Sequence, residues 1–294
     1  MSASSPRPRR FCIFARNTFK HTVNILALDI GNTFTKVALF KGQRVRWRAS
    51  RATHALLNKT AAREFIDDIQ AASTDIGSID ALGASSVVPD AAKVIVASME
   101  RAYRQKAVEV SATLTLPFRV DYKTPTTLGA DRLAVVARAS ERYKNAVIAI
   151  NIGTAITYDI LMSSGKTVGG EATRRYLGGL IVTGVGLRAA ALHRNTAQLP
   201  MTHFQTMRSL IGTSTEACLA AGLYFGVIAE ISGIVTRLKA DLEKRGEKSI
   251  TVFAAGGDAL HVAKAVNASE KVIDAIEPDA VLRGVRRLTE LQVI

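Results

Sequence analysis

Asp29 ends an oily run, Ile25-Leu26-Ala27-Leu28, and is followed by Ile30, Gly31, Asn32, Thr33, Phe34, Thr35 and Lys36. The apolar stretches on either side are short, which predicts strand, tight turn, strand. A carboxylate at the end of such a strand is unfavourable without a partner. Mg²⁺ carrying a nucleotide phosphate is a fitting one, because Mg²⁺ sits on one or two carboxylates plus phosphate oxygens. Gly31 has no Cβ, so backbone amides can approach a ligand closely. Asn32, Thr33 and Thr35 add small donors and Lys36 a positive charge. A plain hairpin with a Gly-Asn turn accounts for the same letters.

A second pair of charges, Asp131-Arg132, follows Tyr122 and a loop marked by Pro125 and Gly129. From residue 130 to 143 the apolar spacing is helical, so both charges fall in a first turn whose backbone amides lack helical partners. Asp131 there serves as a cap, or as a general base aimed at a substrate hydroxyl. Arg132 would then hold an anionic group bidentately. An arginine at this end gains nothing from the helix dipole, which favours cations at the other end.

The glycine turn recurs. Residues 146–152 predict a buried strand that runs into Asn151-Ile152-Gly153-Thr154-Ala155-Ile156-Thr157-Tyr158-Asp159. This repeats strand, polar residue, Ile-Gly and small hydroxyl residues, as at Asp29. A third turn stands at Ala255-Gly256-Gly257-Asp258. The expectation is an internal duplication around one cleft, each half opening with a phosphate-sized turn. Two look-alikes are set aside. Gly165-Lys166-Thr167 lacks the first glycine of a P-loop, since position 160 is Ile, and reads as a hairpin turn. Gly184-Val185-Gly186 imitates a dinucleotide fingerprint, but no Asp or Glu lies between Glu171 and Glu216 to meet a ribose.

Bulk properties narrow the partners. The chain is 48% hydrophobic and 22% charged, with no long biased tract, which suits two globular lobes. The longest stretch without Asp, Glu, Lys or Arg, 145–158, is shorter than the ~20 apolar residues of a spanning helix, so no membrane segment is expected. Cys12 and Cys218 make neither a disulfide framework nor a metal cluster, which fits a reducing cytoplasm. The net charge is +14; the first 22 residues carry Arg7, Arg9, Arg10, Arg16 and Lys20 and no acid. Taking those five from the 39 basic residues leaves 34 against 25 acidic ones. No nucleic-acid motif with interleaved aromatics accompanies this charge, so anionic metabolites are the expected partners. Residues 1–22 read as a disordered basic tail, with a targeting segment as the alternative.

The remaining elements position these turns. Arg44, Arg46 and Arg48 alternate with Val45 and Trp47 as on a strand. Helical spacing covers 56–72, strand spacing 80–88, and Pro89 opens a helix reaching about 106. A short strand is expected at 108–112. Further on, Thr213 and Glu216 have the spacing of a capping box before a long apolar helix to about 245. A strand at 249–255 and helices at 259–266 and 279–291 complete the α/β pattern. The halves are expected at 23–144 and 145–294.

Together these residues resemble the type III pantothenate kinases. The family's Asp-x-Gly-Asn-Thr stands here as Asp29 to Thr33, and its Gly-x-Asp-Arg as Gly129-Ala130-Asp131-Arg132, with the preceding Tyr at Tyr122. Its Asp-x-Gly-Thr-Ala-x-Thr-x-Asp aligns with Asn151 to Asp159. Gly178-Gly179-Leu180-Ile181, Thr196-Ala197-Gln198-Leu199-Pro200 and Gly256-Gly257 follow in the family's order. The resemblance implies the acetate/sugar kinase–Hsp70–actin fold, two ribonuclease-H-like α/β halves around an ATP cleft, working as a homodimer. It implies transfer of the ATP γ-phosphate to a pantothenate hydroxyl, the first step toward coenzyme A, with Mg²⁺ and a monovalent cation, K⁺ or NH₄⁺. By position, Asp29, Ile30, Gly31, Asn32, Thr33, Phe34, Thr35, Lys36 and Thr154 would bind ATP, with Asp29 on the Mg²⁺. Asp131 would be the base. Tyr122, Gly129, Ala130, Asp131, Arg132 and Thr215 would hold pantothenate, Thr215 from a neighbouring subunit.

The sequence departs from the family at four positions. Asn151 replaces the Asp that binds potassium, Thr183 a Pro, Ser214 an Asn, and Ala255 a Thr of the adenosine region. Asp29, Asp131 and Arg132 are intact, which implies an active kinase with an altered monovalent-ion requirement. Two alternatives stay open: a non-catalytic regulator like the Bvg accessory factors, which share the pattern, and a kinase of another small hydroxyl substrate.

Overall fold

A computed structural model describes residues 22–163 and 173–294. The N-terminal basic tail with Cys12, up to residue 21, and the Gly165-Lys166-Thr167 turn lie outside these residues.

The first sheet is built from β1 (Asn24–Ile30), β2 (Phe34–Lys41), β3 (Arg44–Ala52), β4 (Ala81–Ser86) and β5 (Ala107–Glu109). A 3-10 turn (Thr53–Leu57) and α1 (Lys59–Ser73) join β3 to β4, and α2 (Pro89–Tyr103) joins β4 to β5. Strands β6 (Arg119–Val120), β7 (Ala146–Ile152), β8 (Ala155–Leu161), β9 (Arg175–Thr183), β10 (Ile250–Ala255) and β11 (Ala275–Ile276) make the second sheet. Its helices are α3 (Ala130–Arg142), α4 (Val185–Arg194), α5 (Thr215–Lys244), α6 (Ala259–Ser269) and α7 (Ala280–Val293).

The two sheets share one plan. The first has the order β3-β2-β1-β4-β5 and the second β9-β8-β7-β10-β11, with β6 added beside β9. In each, the first three strands in sequence form an antiparallel meander, and the last two add parallel to its first strand. This is the ribonuclease-H-like arrangement, duplicated. Successive strand residues face opposite sides. So Ile25 and Ala27 of β1 face a central core, while Leu26, Leu28 and Ile30 face an outer one covered by α1 and α2. In β7, Val147 and Ala149 face the central core and Ile148, Ile150 and Ile152 the core under α4, α5 and α6. The same alternation puts Asp29 and Asn151 on the inward faces, each the one position of its strand left partly open to solvent.

Between the sheets lie α3 and α7. Leu133, Ala134 and Val136 of α3 and Val285 and Leu288 of α7 are buried together. Gly284 lets the two helices touch: a Cβ there would stand 1.7 Å from the Ala134 carbonyl oxygen. The division at 144/145 separates the two glycine-turn strands, yet the chain crosses it twice. β6 comes before it and pairs with β9, and α7 comes after it and packs against β1 and β4 of the first sheet.

One sequence reading shifts. Ser214, rather than Thr213, caps α5, accepting a bond from the Ala217 amide at 3.2 Å. By length and composition α5 could cross a membrane. Its Leu223, Val227, Ile228 and Ile231 are instead buried against the second sheet, which accounts for the apolar run as a core helix.

Candidate active site

The site forms where the turns after β1 and β7 meet the N-terminus of α3. In the first turn the Gly31 amide donates to the Phe34 carbonyl at 3.0 Å. Thr53 braces it from the 3-10 turn: its amide donates to the Thr33 carbonyl at 3.0 Å and its hydroxyl to the Gly31 carbonyl at 2.7 Å. Thr35 is buried, with its hydroxyl 3.1 Å from that of Thr53. Thr35 therefore shapes the turn from beneath, while Asn32, Thr33 and Phe34 are exposed at its surface. No feature of the sequence around Thr53 marks it for this task.

The second turn faces the first. Thr33 Oγ1 and Thr154 Oγ1 are 3.2 Å apart. The Gly153 amide donates to the Ala155 carbonyl, and the Gly184 amide to the Thr154 carbonyl, each at 3.0 Å. The third turn closes the group. Gly256 has φ +98°, which disfavours any side chain, and a Cβ there would stand 2.3 Å from the Ile152 carbonyl oxygen and 2.7 Å from Asn151 Oδ1. Across the cleft, Lys36 Nζ lies 3.8 Å from where a Cβ of Gly257 would be. Beyond this turn a cavity of about 220 Å³ is lined by Val185, Ala189, Phe204, Asp258, His261 and Val262, among others.

Asp29 and Lys36 are paired across β1 and β2 and so point to one side of the sheet. Burial pushes the Asp29 carboxyl up to about 7, Lys36 pulls it down, and Asp131 pushes it up again. The structure thus brings the carboxylates of β1 and α3 within electrostatic reach of one another. Asp131 sits in the first turn of α3, Oδ1 accepting the Arg132 amide at 2.8 Å. Its carboxyl is also raised, by burial, against the pull of that amide and of the Arg132 guanidinium. A carboxylate raised toward neutrality beside a phosphate-sized turn is suited to taking a proton.

Arg132 is not the open clamp that the sequence suggests. It is 5% exposed, and Nε donates to Asp159 Oδ1 at 2.8 Å. Burial works against its charge, but Asp159, helped by Tyr176 and Tyr122, more than restores it, and Arg132 ends above its ordinary value. Asp159 escaped the site reading although the clue was that of Asp29, an acid inside an oily strand. Tyr122 lies over Gly178, where a Cβ would meet its ring at 2.8 Å. Gly129 and Ala130 begin α3 beside Asp131. Thr215 is exposed on the first turn of α5.

The residues fit a divalent ion brought by its ligand rather than a resident metal centre. Among the described residues no group of three or more His, Cys, Asp or Glu could hold a metal. Asp29 presents a carboxylate beside the first turn, as Mg²⁺ held mainly by phosphate oxygens requires.

A family model described as type III pantothenate kinase matches residues 25–237. The type III pantothenate kinase of Chlorobaculum tepidum is 36% identical over 261 residues, covering 88% of this chain and 91% of the relative. That of Phenylobacterium zucineum is 31% identical over 266 residues, covering 88% and 95%. Among solved structures, a ROK hexokinase from Thermus thermophilus aligns over 92% of this chain and 99% of its own with a TM-score of 0.46 and 15% identity. Matched along most of its length by model and relatives alike, the chain belongs to the type III pantothenate kinase family.

Proposed function

We propose that this protein transfers the γ-phosphate of ATP to the hydroxyl of pantothenate, giving 4′-phosphopantothenate, the first step of coenzyme A biosynthesis. The observation that carries the reading is geometric: the two glycine turns meet at Thr33 and Thr154, and Asp131, in the first turn of α3, lies close enough to Asp29 for their charges to interact. Phosphoryl transfer asks mainly for positioning, charge neutralisation and a base near the nucleophile.

In this reading the turns from Asp29 to Lys36 and around Thr154 receive the triphosphate, with backbone amides and threonine hydroxyls as donors. Lys36 supplies a positive charge between the lobes. Mg²⁺ bound with the nucleotide would sit on Asp29 and neutralise phosphate charge. The cavity beside Gly256 and Asp258 takes the nucleoside end. Asp131 accepts the hydroxyl proton as the oxygen attacks, held in line by the rigid first turn of α3. Tyr122, Gly129, Ala130 and Arg132 surround the same turn and hold pantothenate, with Arg132 facing its carboxylate.

Asn151 Oδ1 and the Ile152 carbonyl both crowd onto Gly256. Two such oxygens suit K⁺ or NH₄⁺, and a neutral amide supplies less charge than a carboxylate would. A homodimer is part of the proposal. Exposed apolar side chains lie on β9 (Ile181), on α4 (Leu187, Leu192) and on the segment entering α5 (Leu210, 69% exposed; Ile211, 77%). A second copy would cover them and bring its Thr215 to this copy's pantothenate site. Two cysteines without a disulfide framework suit the cytoplasm.

The test is purified protein with ATP, Mg²⁺ and pantothenate, the product identified by mass. Formation of 4′-phosphopantothenate is expected; ATP turnover indifferent to pantothenate would contradict it.

A further inference from the structure

Arg132 is gripped by more than one partner. Asp159, fully buried, accepts from Arg132 Nε at 2.8 Å, from the Tyr176 hydroxyl at 2.6 Å and from the Thr157 hydroxyl at 3.0 Å. Strand geometry explains the convergence. Thr157 and Asp159 are two apart on β8 and share the inward face, opposite Asn151 and Ala149 of β7. Tyr176 reaches them from β9, on the edge of the same buried face.

Stability gives this group no clear purpose. A buried ion pair gains little over a well-packed apolar set of equal volume, because desolvation offsets the attraction. Here the set is also incomplete: Arg132 Nη2 lies 2.8 Å from Asp159 Oδ1, yet it is buried and makes no hydrogen bond. What the group does achieve is to leave the guanidinium one position. Arg132 also donates its amide to Asp131, so its place in the first turn of α3 bears on the base as well.

We propose that Asp159, Thr157 and Tyr176 form a buried clamp that holds the Arg132 guanidinium in place to receive the carboxylate of the hydroxy-acid substrate. They are positioning residues, acting through Arg132 and touching no substrate. The proposal rests on pantothenate as the substrate and on Arg132 as the residue that meets its carboxylate.

Steady-state kinetics of Asp159→Asn, Arg132→Gln and the double variant test the clamp. Losing a charged hydrogen bond to Arg132 should raise KM for pantothenate about tenfold or more, with KM for ATP within about twofold of wild type. In the Arg132→Gln background, Asp159→Asn should add less than about twofold, since its effect runs through the missing guanidinium. Tyr176→Phe and Thr157→Val, which keep the carboxylate, should raise the same KM by a smaller factor; they carry the test if Asp159→Asn does not fold. Independent losses in the double variant, or equal rises in both KM values, overturn the clamp while leaving the kinase reading intact. A wild-type protein that phosphorylates no pantothenate overturns both.

Discussion

The hydroxyls of Thr33 and Thr154 meet at 3.2 Å although 121 positions separate them in the chain. Each belongs to the glycine turn of its own sheet, so this contact joins the two lobes at the mouth of the cleft. A triphosphate entering there would exchange the mutual bond for bonds to its own oxygens. Replacing Thr33 or Thr154 by Val should therefore weaken nucleotide binding by about ten- to a hundredfold, the range of one hydrogen bond to a charged group. Stability should change little, because the contact is exposed. Titration calorimetry with a non-hydrolysable ATP analogue, beside a melting curve, checks both.

Asp29 makes the site sensitive to pH. Its carboxyl stands at about 7 in the folded protein and at 3.8 as a free side chain, with burial as the main cause. Below pH 7 the protonated form cannot serve a divalent ion, so apparent affinity for Mg·ATP should fall toward acid, approaching tenfold per pH unit. The sign for stability is opposite. A raised carboxyl binds its proton more tightly when folded, so stability is fully present below pH 3.8 and is lost as pH rises to about 7. Asp29→Asn should thus melt higher than wild type. Its advantage should grow between those values by at most about 1.4 kcal/mol per pH unit and stay level above them. Melting curves from pH 4 to 8 measure this; an advantage that shrinks with rising pH would contradict it.

Gly256 holds the third turn in a conformation closed to side chains. With φ at +98° and the Ile152 carbonyl 2.3 Å from a Cβ, Gly256→Ala must shift backbone. A loss of about 1–3 kcal/mol is expected, the range for a residue forced into a disfavoured conformation. Denaturant unfolding gives the number, and unchanged stability would show that the turn relaxes freely.

Asn151 stands where a monovalent ion is proposed to bind. With a neutral amide at the inward end of β7, the rate should respond weakly to K⁺, and Asn151→Asp should confer saturable activation. Titrating K⁺ against rate at constant ionic strength decides; saturable activation of the wild type would refute the account.

Much of this was legible because the site is built on regular strands. The apolar run 146–152 is β7 to the residue, and period two alone places Asp29 and Asn151 on inward faces. The helical spacing from 130 puts Asp131 in a first turn. What stayed hidden depends on distant partners. β6 has only Arg119 and Val120, too few for a period, and exists through its pairing with β9. The sandwich of α3 and α7 joins helices whose contact no local pattern announces. Arg132 looked open because its ion pair comes from a strand 27 positions on, and Thr53 carried no mark because its bonds are to the backbone of a distant turn.

In the proposed reaction Asp131 takes the proton of the pantothenate hydroxyl, across the cleft from Asp29. ADP formation by wild type and Asp131→Ala, with nucleotide affinity measured on both, tests it most directly. Pantothenate-dependent turnover is expected in the wild type, and a loss of about 10²–10⁴-fold in the variant, the range for a general base, with ATP still bound. Turnover by Asp131→Ala within a few-fold of wild type would contradict it.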